Sequence, residues 1–224
     1  MLYASTLKAS SRLGLLTRSL HFIKDRKQKR SFYLALVRSI FEHCSVVWRP
    51  TTLQMIGKVE SIQRRAVKWI LGEQDHHYND YEYLRRLKEL DLMPMQYKFI
   101  FTDLVMFHNI FHGHTVVKYP LYLTHVTDND RSRLRSNIRP PARPLDQNLS
   151  SELPDFSLMR GRQLDNTSLK CNIEGKATSF KNSFFFRTHT IWNDLTVPLR
   201  EIIDNNVFQD KLKEFMWEKM IEPH

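Results

Sequence analysis

Residues 31–72 read SFYLALVRSIFEHCSVVWRPTTLQMIGKVESIQRRAVKWILG, and this stretch decides the fold. In its first half Tyr33, Leu36, Val37, Ile40, Phe41 and Cys44 recur at steps of three and four, the spacing that places side chains on one face of an α-helix. That face is expected to be buried. Pro50 cannot continue a helix and biases Arg49 toward an extended backbone, while Thr51 with Gln54 three residues on has the pattern of a capping box. A second helix is therefore expected after a tight turn at Trp48. It would bury Ile56, Val59, Ile62, Ala66 and Ile70, turn Lys58, Arg64, Arg65 and Lys68 outward, and stop at Gly72, which is free to take a left-handed cap. The stretch is a helical hairpin with a basic outer side.

Upstream, Leu13, Leu16 and Leu20 predict a first helix from Leu2 to about Ser19 that packs on the hairpin. Residues 24–30, KDRKQKR, then place five basic residues among seven directly before the buried helix. Such a run serves equally as a solvated helix entrance, a localisation signal or a phosphate contact.

Downstream of Gly72, EQDHHYND is polar and turn-like, and Asp80 is placed to cap a short helix carrying Tyr81, Leu84, Leu87 and Leu90. Met93-Pro94 breaks it. Met95–Phe111 is the most apolar helix of the chain, with apolar side chains so far round the axis that burial on more than one side is expected. Residues 114–177 change character. RSRLRSNIRPPAR, residues 131–143, has five arginines and two prolines without an acid, and Asn, Ser and Asp follow, the composition of a surface loop or linker. Beyond it, Phe184, Phe185 and Phe186 are consecutive and cannot share one helix face, which predicts a short buried strand or a closely enclosed helix start. An amphipathic helix over residues 207–220, with Phe208, Leu212, Phe215 and Met216 on one side and Asn205 or Asn206 as cap, closes the chain.

With 224 residues, 42% hydrophobic, the chain can bury a proper core. Its net charge of +10 selects anionic partners, without choosing among nucleic acid, acidic protein and anionic membrane surface. Two cysteines, Cys44 and Cys171, make no disulfide framework, so a reducing, intracellular setting is expected, nuclear or cytoplasmic. No apolar run reaches the roughly 20 residues of a membrane span, and the N-terminus lacks the pattern of a signal peptide.

His108, His112 and His114 invite a test as metal ligands because His at i and i+4 share a helix face. The test fails on chemistry, since no acidic base lies between them and no cysteine pair follows at zinc-ribbon spacing. No metal or cofactor is expected. Six glycines leave little material for a phosphate loop, and GxSxG and HExxH are both absent.

The ordered blocks carry a resemblance. Residues 29–72, with LVRS, VVWRP and KVESIQRRAVKWILG, look like the segment just past the catalytic palm in reverse transcriptases of non-LTR retrotransposons of the jockey and CR1 type. LKELDLMPMQYKFIFTDLVMFHNIFHG, residues 87–113, and FKNSFFFRTHTIWNDL, residues 180–195, resemble the following blocks of those proteins. The resemblance spans nearly the whole chain but omits the Tyr/Phe-x-Asp-Asp turn whose paired aspartates hold the catalytic metals. Tyr78-Asn79-Asp80 and Asp128-Asn129-Asp130 lack adjacent carboxylates. The resemblance thus implies a thumb and C-terminal region without catalytic residues, one that holds RNA or an RNA/DNA duplex, with the palm portion of a longer polymerase as a further partner. The phosphate contacts it implies fall on Lys24, Arg26, Lys27, Lys29, Arg30, Arg64, Arg65 and Lys68, and on Arg131, Arg133, Arg135 and Arg139. A helical protein-interaction domain, or a retroelement relic without activity, is the alternative.

The expected fold is mainly α: a thumb-like helical hairpin and a C-terminal helical region with one short strand element and a long irregular loop. Its expected divisions are a thumb-like region (1–75), a helical core block (76–113), a basic and polar loop (114–177) and an aromatic block with an amphipathic helix (178–224).

Overall fold

The computed structural model describes residues 2–72, 79–118, 120–126, 167–172 and 178–221. Most of the expected loop, with Arg131, Arg133, Arg135 and Arg139, lies outside the described residues. The protein is mainly helical with one small antiparallel sheet, and it divides into two compact units, residues 1–102 and 103–224.

The first unit begins with α1 (Leu2–Ser19), which packs on the hairpin through Ala9, Leu13 and Leu16. The hairpin's first arm starts earlier than the periodicity predicts. Asp25 caps α2 (Arg26–Tyr33) by accepting from the Lys27 amide at 3.0 Å, so the basic run forms the first turns of the helix instead of preceding it. The arm then widens into a π-helical segment, Leu34–Arg38, before α3 (Ser39–Glu42). The extra residue in that turn shifts the phase of everything after it, because the 3.6-residue period no longer holds. Tyr33, Val37 and Phe41 are buried at steps of four, with Arg38 beside them. Leu36 and Cys44, expected inside, are exposed instead, Leu36 to 41%.

Cys44 takes a left-handed conformation (φ 54°) that ends the arm and opens the short α4 (Ser45–Trp48). Trp48 pins this turn, its indole N–H donating to the His43 carbonyl at 2.6 Å and its ring meeting Phe99 edge-on. The capping box is not formed. Helix α5 (Leu53–Leu71) starts from Thr52, whose side chain makes no cap bond, and Thr51 stands one residue outside it. All five predicted core positions of α5 are buried, and Gly72 closes it with φ 74° and an amide bond to the Lys68 carbonyl.

Helix α6 (Asp80–Glu89) is capped by Asn79, not Asp80, and buries Tyr83 and Leu87 while Tyr81 is 71% exposed. The face turns because the Tyr83 hydroxyl belongs to a buried polar network described below. The chain leaves α6 before Met93-Pro94, in a Schellman motif with Asp91 in the left-handed position (φ 49°) and Leu92 bonded back to Leu87 at 2.8 Å. Helix α7 (Met95–Phe111) then begins, with no exposed residue along its length, in line with burial on several sides.

In the second unit, β1 (Leu123–His125) pairs with β2 (Leu169–Cys171) in the register Leu123↔Cys171. The strand element thus lies within residues expected as loop. Phe184–Phe186 open a helix, the second of the two readings their spacing allows. After the short α8 (Thr178–Lys181), α9 (Phe184–Asp194) splays the three rings round its first turn toward Phe107 and Phe180. Asn193 acts as an extra strand for β2, accepting from the Leu169 amide and donating to its carbonyl. Trp192 is fully buried among Phe107, Phe111 and Phe208. Helix α10 (Val197–Arg200) leads to α11 (Asn205–Ile221), which buries Phe208, Leu212, Met216 and Met220. The cap of α11 is Asp204, which accepts from the amides of Asn206 and Val207, and not either asparagine.

Candidate nucleic-acid interface

The distribution of charge is more informative than its total. Residues 1–72 hold 14 Lys and Arg against three acids, Asp25, Glu42 and Glu60, a net of +11, so the remaining 152 residues together carry −1. All of the excess positive charge belongs to α1 and the hairpin.

Two helices, α1 and α5, present about half of it, a net of +6. α1 contains no acid. The single acid of α5 is Glu60, which is buried. Lys58 lies over the Tyr3 ring at 5.6 Å and Arg65 donates to the Ser10 hydroxyl at 2.9 Å, so the two helices run side by side in the same direction. Their exposed surfaces carry Lys8, Arg12, Arg18, Lys58 and Arg65 with no carboxylate. Between Lys58 and Arg65 the one exposed side chain of α5 is the small, neutral Ser61, which lets an extended anion lie close. The seven-residue interval rises about 10 Å, the axial rise of about three phosphates on one strand.

The sequence-predicted cations divide by what they touch. Lys24, Arg26 and Lys27 are exposed at the start of α2, where Arg26 pairs with Glu89 at 2.9 Å. An exposed pair of this kind is weak and can be exchanged for a phosphate. Lys29 and Arg30 turn inward along the helix. Lys29 donates to the Trp69 carbonyl at 3.1 Å and lies over its ring, neutralising the carbonyl end of α5. Arg30 donates to the Leu90 and Asp91 carbonyls and to the Asp91 carboxylate, holding the end of α6 in the same manner. Arg64 is half-buried, bonded to Asp80 at 2.8 Å and stacked 4.4 Å over Tyr83, with Asp80 raising an already high pKa against the opposing effect of burial. Lys68 is half-buried on α5. Arg65 alone among these α5 residues joins the exposed ridge. Sequence reasoning about the basic run missed Lys8, Arg12 and Arg18, although the absence of any acid before Asp25 was the available signal.

Beneath this surface lies a fixed polar core. Glu60 accepts from the Tyr83 hydroxyl, from Gln63 at 3.3 Å and from the Met95 amide at 2.8 Å, at the start of α7. Gln63 also donates to the Met93 carbonyl and accepts from the Tyr33 hydroxyl. Burial pushes the Glu60 carboxyl above the usual carboxylate range, against the pull of Tyr83, the Met95 amide, Arg64 and Arg38. The network fixes α5 against the start of α7 and so sets the angle at which the basic ridge is presented.

The fold and this surface define a basic, mainly helical protein whose excess positive charge is concentrated in residues 1–72. No family model matches the chain, and no curated protein or solved structure matches it significantly. No helix among the described residues is long and apolar enough to cross a membrane.

Proposed function

We propose that this chain is the non-catalytic, nucleic-acid-holding region of a non-LTR retrotransposon RNA-directed DNA polymerase, the part that follows the palm. It grips RNA or an RNA/DNA duplex by sequence-independent phosphate contacts. One observation carries the reading: the exposed faces of α1 and α5 present five cations and no carboxylate, in a segment of net charge +11. The order of the blocks that resemble such polymerases supports the particular parentage.

Lys8, Arg12, Lys58 and Arg65 make the principal contacts, with Lys24 and Lys27 joining from the start of α2. Fluorescence anisotropy of a labelled duplex across a salt series tests this, because each phosphate neutralised adds about 0.9 to the slope of log affinity on log salt for B-form DNA, and a comparable amount for other duplexes. Lys58→Ala with Arg65→Ala should lower the slope by about 2. An unchanged slope removes the ridge from the footprint. Arg64→Ala should contribute less than Arg65→Ala, since Asp80 already holds its guanidinium. Incorporation of nucleotides by the purified chain with Mg²⁺ would overturn the non-catalytic assignment.

A helical protein-interaction domain is the second reading, favoured by exposed Tyr3, Leu7 and Leu15 along α1. It predicts little affinity for duplex at physiological salt.

A further inference from the structure

The last turn of helix α7 holds His108, and His112 and His114 follow just beyond it, three histidines that the proposed function does not use. His108, His112 and His114 converge on the connection between α10 and α11. The Nε2 of His108 donates to the Ile202 carbonyl at 2.7 Å, that of His112 to Arg200 at 3.1 Å and that of His114 to Ile203 at 2.9 Å. A carbonyl only accepts, so each neutral ring carries its proton on Nε2 and leaves Nδ1 bare. The rings lie close together, with centroid separations of 4.5 Å (His108 to His112), 5.9 Å (His108 to His114) and 6.3 Å (His112 to His114). His108 is fully buried, stacked flat on Phe208 of α11 at 4.0 Å, and its Nδ1 has no hydrogen-bond partner.

We propose that these three histidines form an acid-released latch, which in the neutral state ties the α10–α11 connection and the first turn of α11 to α7, and on protonation of His108 and His112 lets them go.

The surroundings decide the direction. The charged and titratable groups on neighbouring elements include Asp103 on α7, Arg187, His189 and Asp194 on α9, Arg200 and Glu201 at α10, Asp204, Asp210 and Lys211 at and along α11, and His125 on β1. Asp103 is held by Arg187, the Arg200 guanidinium bonds the Ser168 hydroxyl and the Asp204 carboxylate caps α11. Among the described residues no carboxylate bonds to any of the three rings, so a charge placed on them is uncompensated. Two features favour charge: the carbonyl partners, and the Asn109 side-chain oxygen near His108, itself buried and without a partner. The Phe208 face adds a cation–π attraction. Burial outweighs them, and with the neighbouring rings it holds His108 and His112 below the usual imidazole range. A group whose folded pKa is depressed in this way takes its proton more readily when released. The latch is therefore fully closed above about pH 6.5, the ordinary imidazole value, and opens as pH falls below it.

Hydrogen exchange of the full chain, corrected for the intrinsic pH dependence of exchange, reads the latch directly. Between pH 7.5 and 5.5, protection over residues 200–212 should fall at least tenfold more than protection of α5. His112→Gln with His114→Gln keeps amide donors for the same carbonyls but cannot charge, and should retain protection at pH 7.5 while losing part of the pH dependence, His108 keeping the rest. The histidine signals of the wild-type chain, followed by NMR, supply a second readout that needs no variant. His108 titrating at or above 6.5, equal loss of protection in α5, or undiminished pH dependence in the double variant would each overturn the latch.

Discussion

Replacing Glu60 by alanine removes the acceptor around which the first unit's polar core is arranged. Three donors meet on that carboxylate: the Tyr83 hydroxyl, Gln63 Nε2 and the Met95 amide. Gln63 keeps the Met93 carbonyl at 3.0 Å, so two buried donors are orphaned. At about 1–3 kcal/mol for each donor left unsatisfied, the gross loss is about 2–6 kcal/mol. Part is returned, because burial disfavours the carboxylate itself at neutral pH. A net destabilisation of about 3 kcal/mol is expected, a large share of the 5–15 kcal/mol typical of a whole domain. Urea unfolding with hydrogen exchange over Leu53–Leu71 measures it. The pH dependence is the sharper test. Since the folded pKa of Glu60 is raised, its contribution is fully present below about pH 4.5, the unfolded value, and is lost as pH rises through the folded pKa. The alanine variant lacks that dependence, so its deficit against wild type should shrink as pH rises. A loss below about 1 kcal/mol, or a deficit that grows with pH, refutes the network as described.

Two glycines, one inside α5 and one capping it, should respond oppositely to alanine. At Gly57, inside α5 with open space where a Cβ would sit, Gly57→Ala should stabilise by about 0.5–1 kcal/mol. At Gly72, equally open but at φ 74°, the same change should cost about 1–2 kcal/mol, as chemical denaturation of both variants will show. In the second unit Arg187 makes a two-pronged bond to buried Asp103, at 3.0 and 3.1 Å. Arg187→Met should therefore cost about 3–5 kcal/mol, and adding Asp103→Leu should recover much of it, because the uncompensated charge is then gone. Thermal melts of the single and double variants decide this, and equal losses would show that the pair's charge is not what matters.

Apolar spacing by itself determined the mainly helical class, the extents of α1 and α7 and the inward face of α5, because burial of a repeating side-chain pattern is a local property of the chain. Ile56, Val59, Ile62, Ala66 and Ile70 are all buried as read. Tertiary structure decided what spacing cannot carry. The π-helical turn at Leu34–Arg38 moved Leu36 and Cys44 outward, since one extra residue resets the period. The polar residues Glu60 and Gln63 went inside because Tyr33, Tyr83 and the start of α7 satisfy them, partners up to 35 positions away. The strand formed at Leu169–Cys171 and not at Phe184 because Asn193 and β1 supply its hydrogen bonds. The candidate interface divides the same way. Sequence revealed that the chain is basic, whereas only the packed structure separated Lys29 and Arg30, which close helix ends, from Lys58 and Arg65, which remain on the surface. The physical reason is that a cation's availability depends on which carbonyls and carboxylates the fold brings to it, and those come from distant parts of the chain.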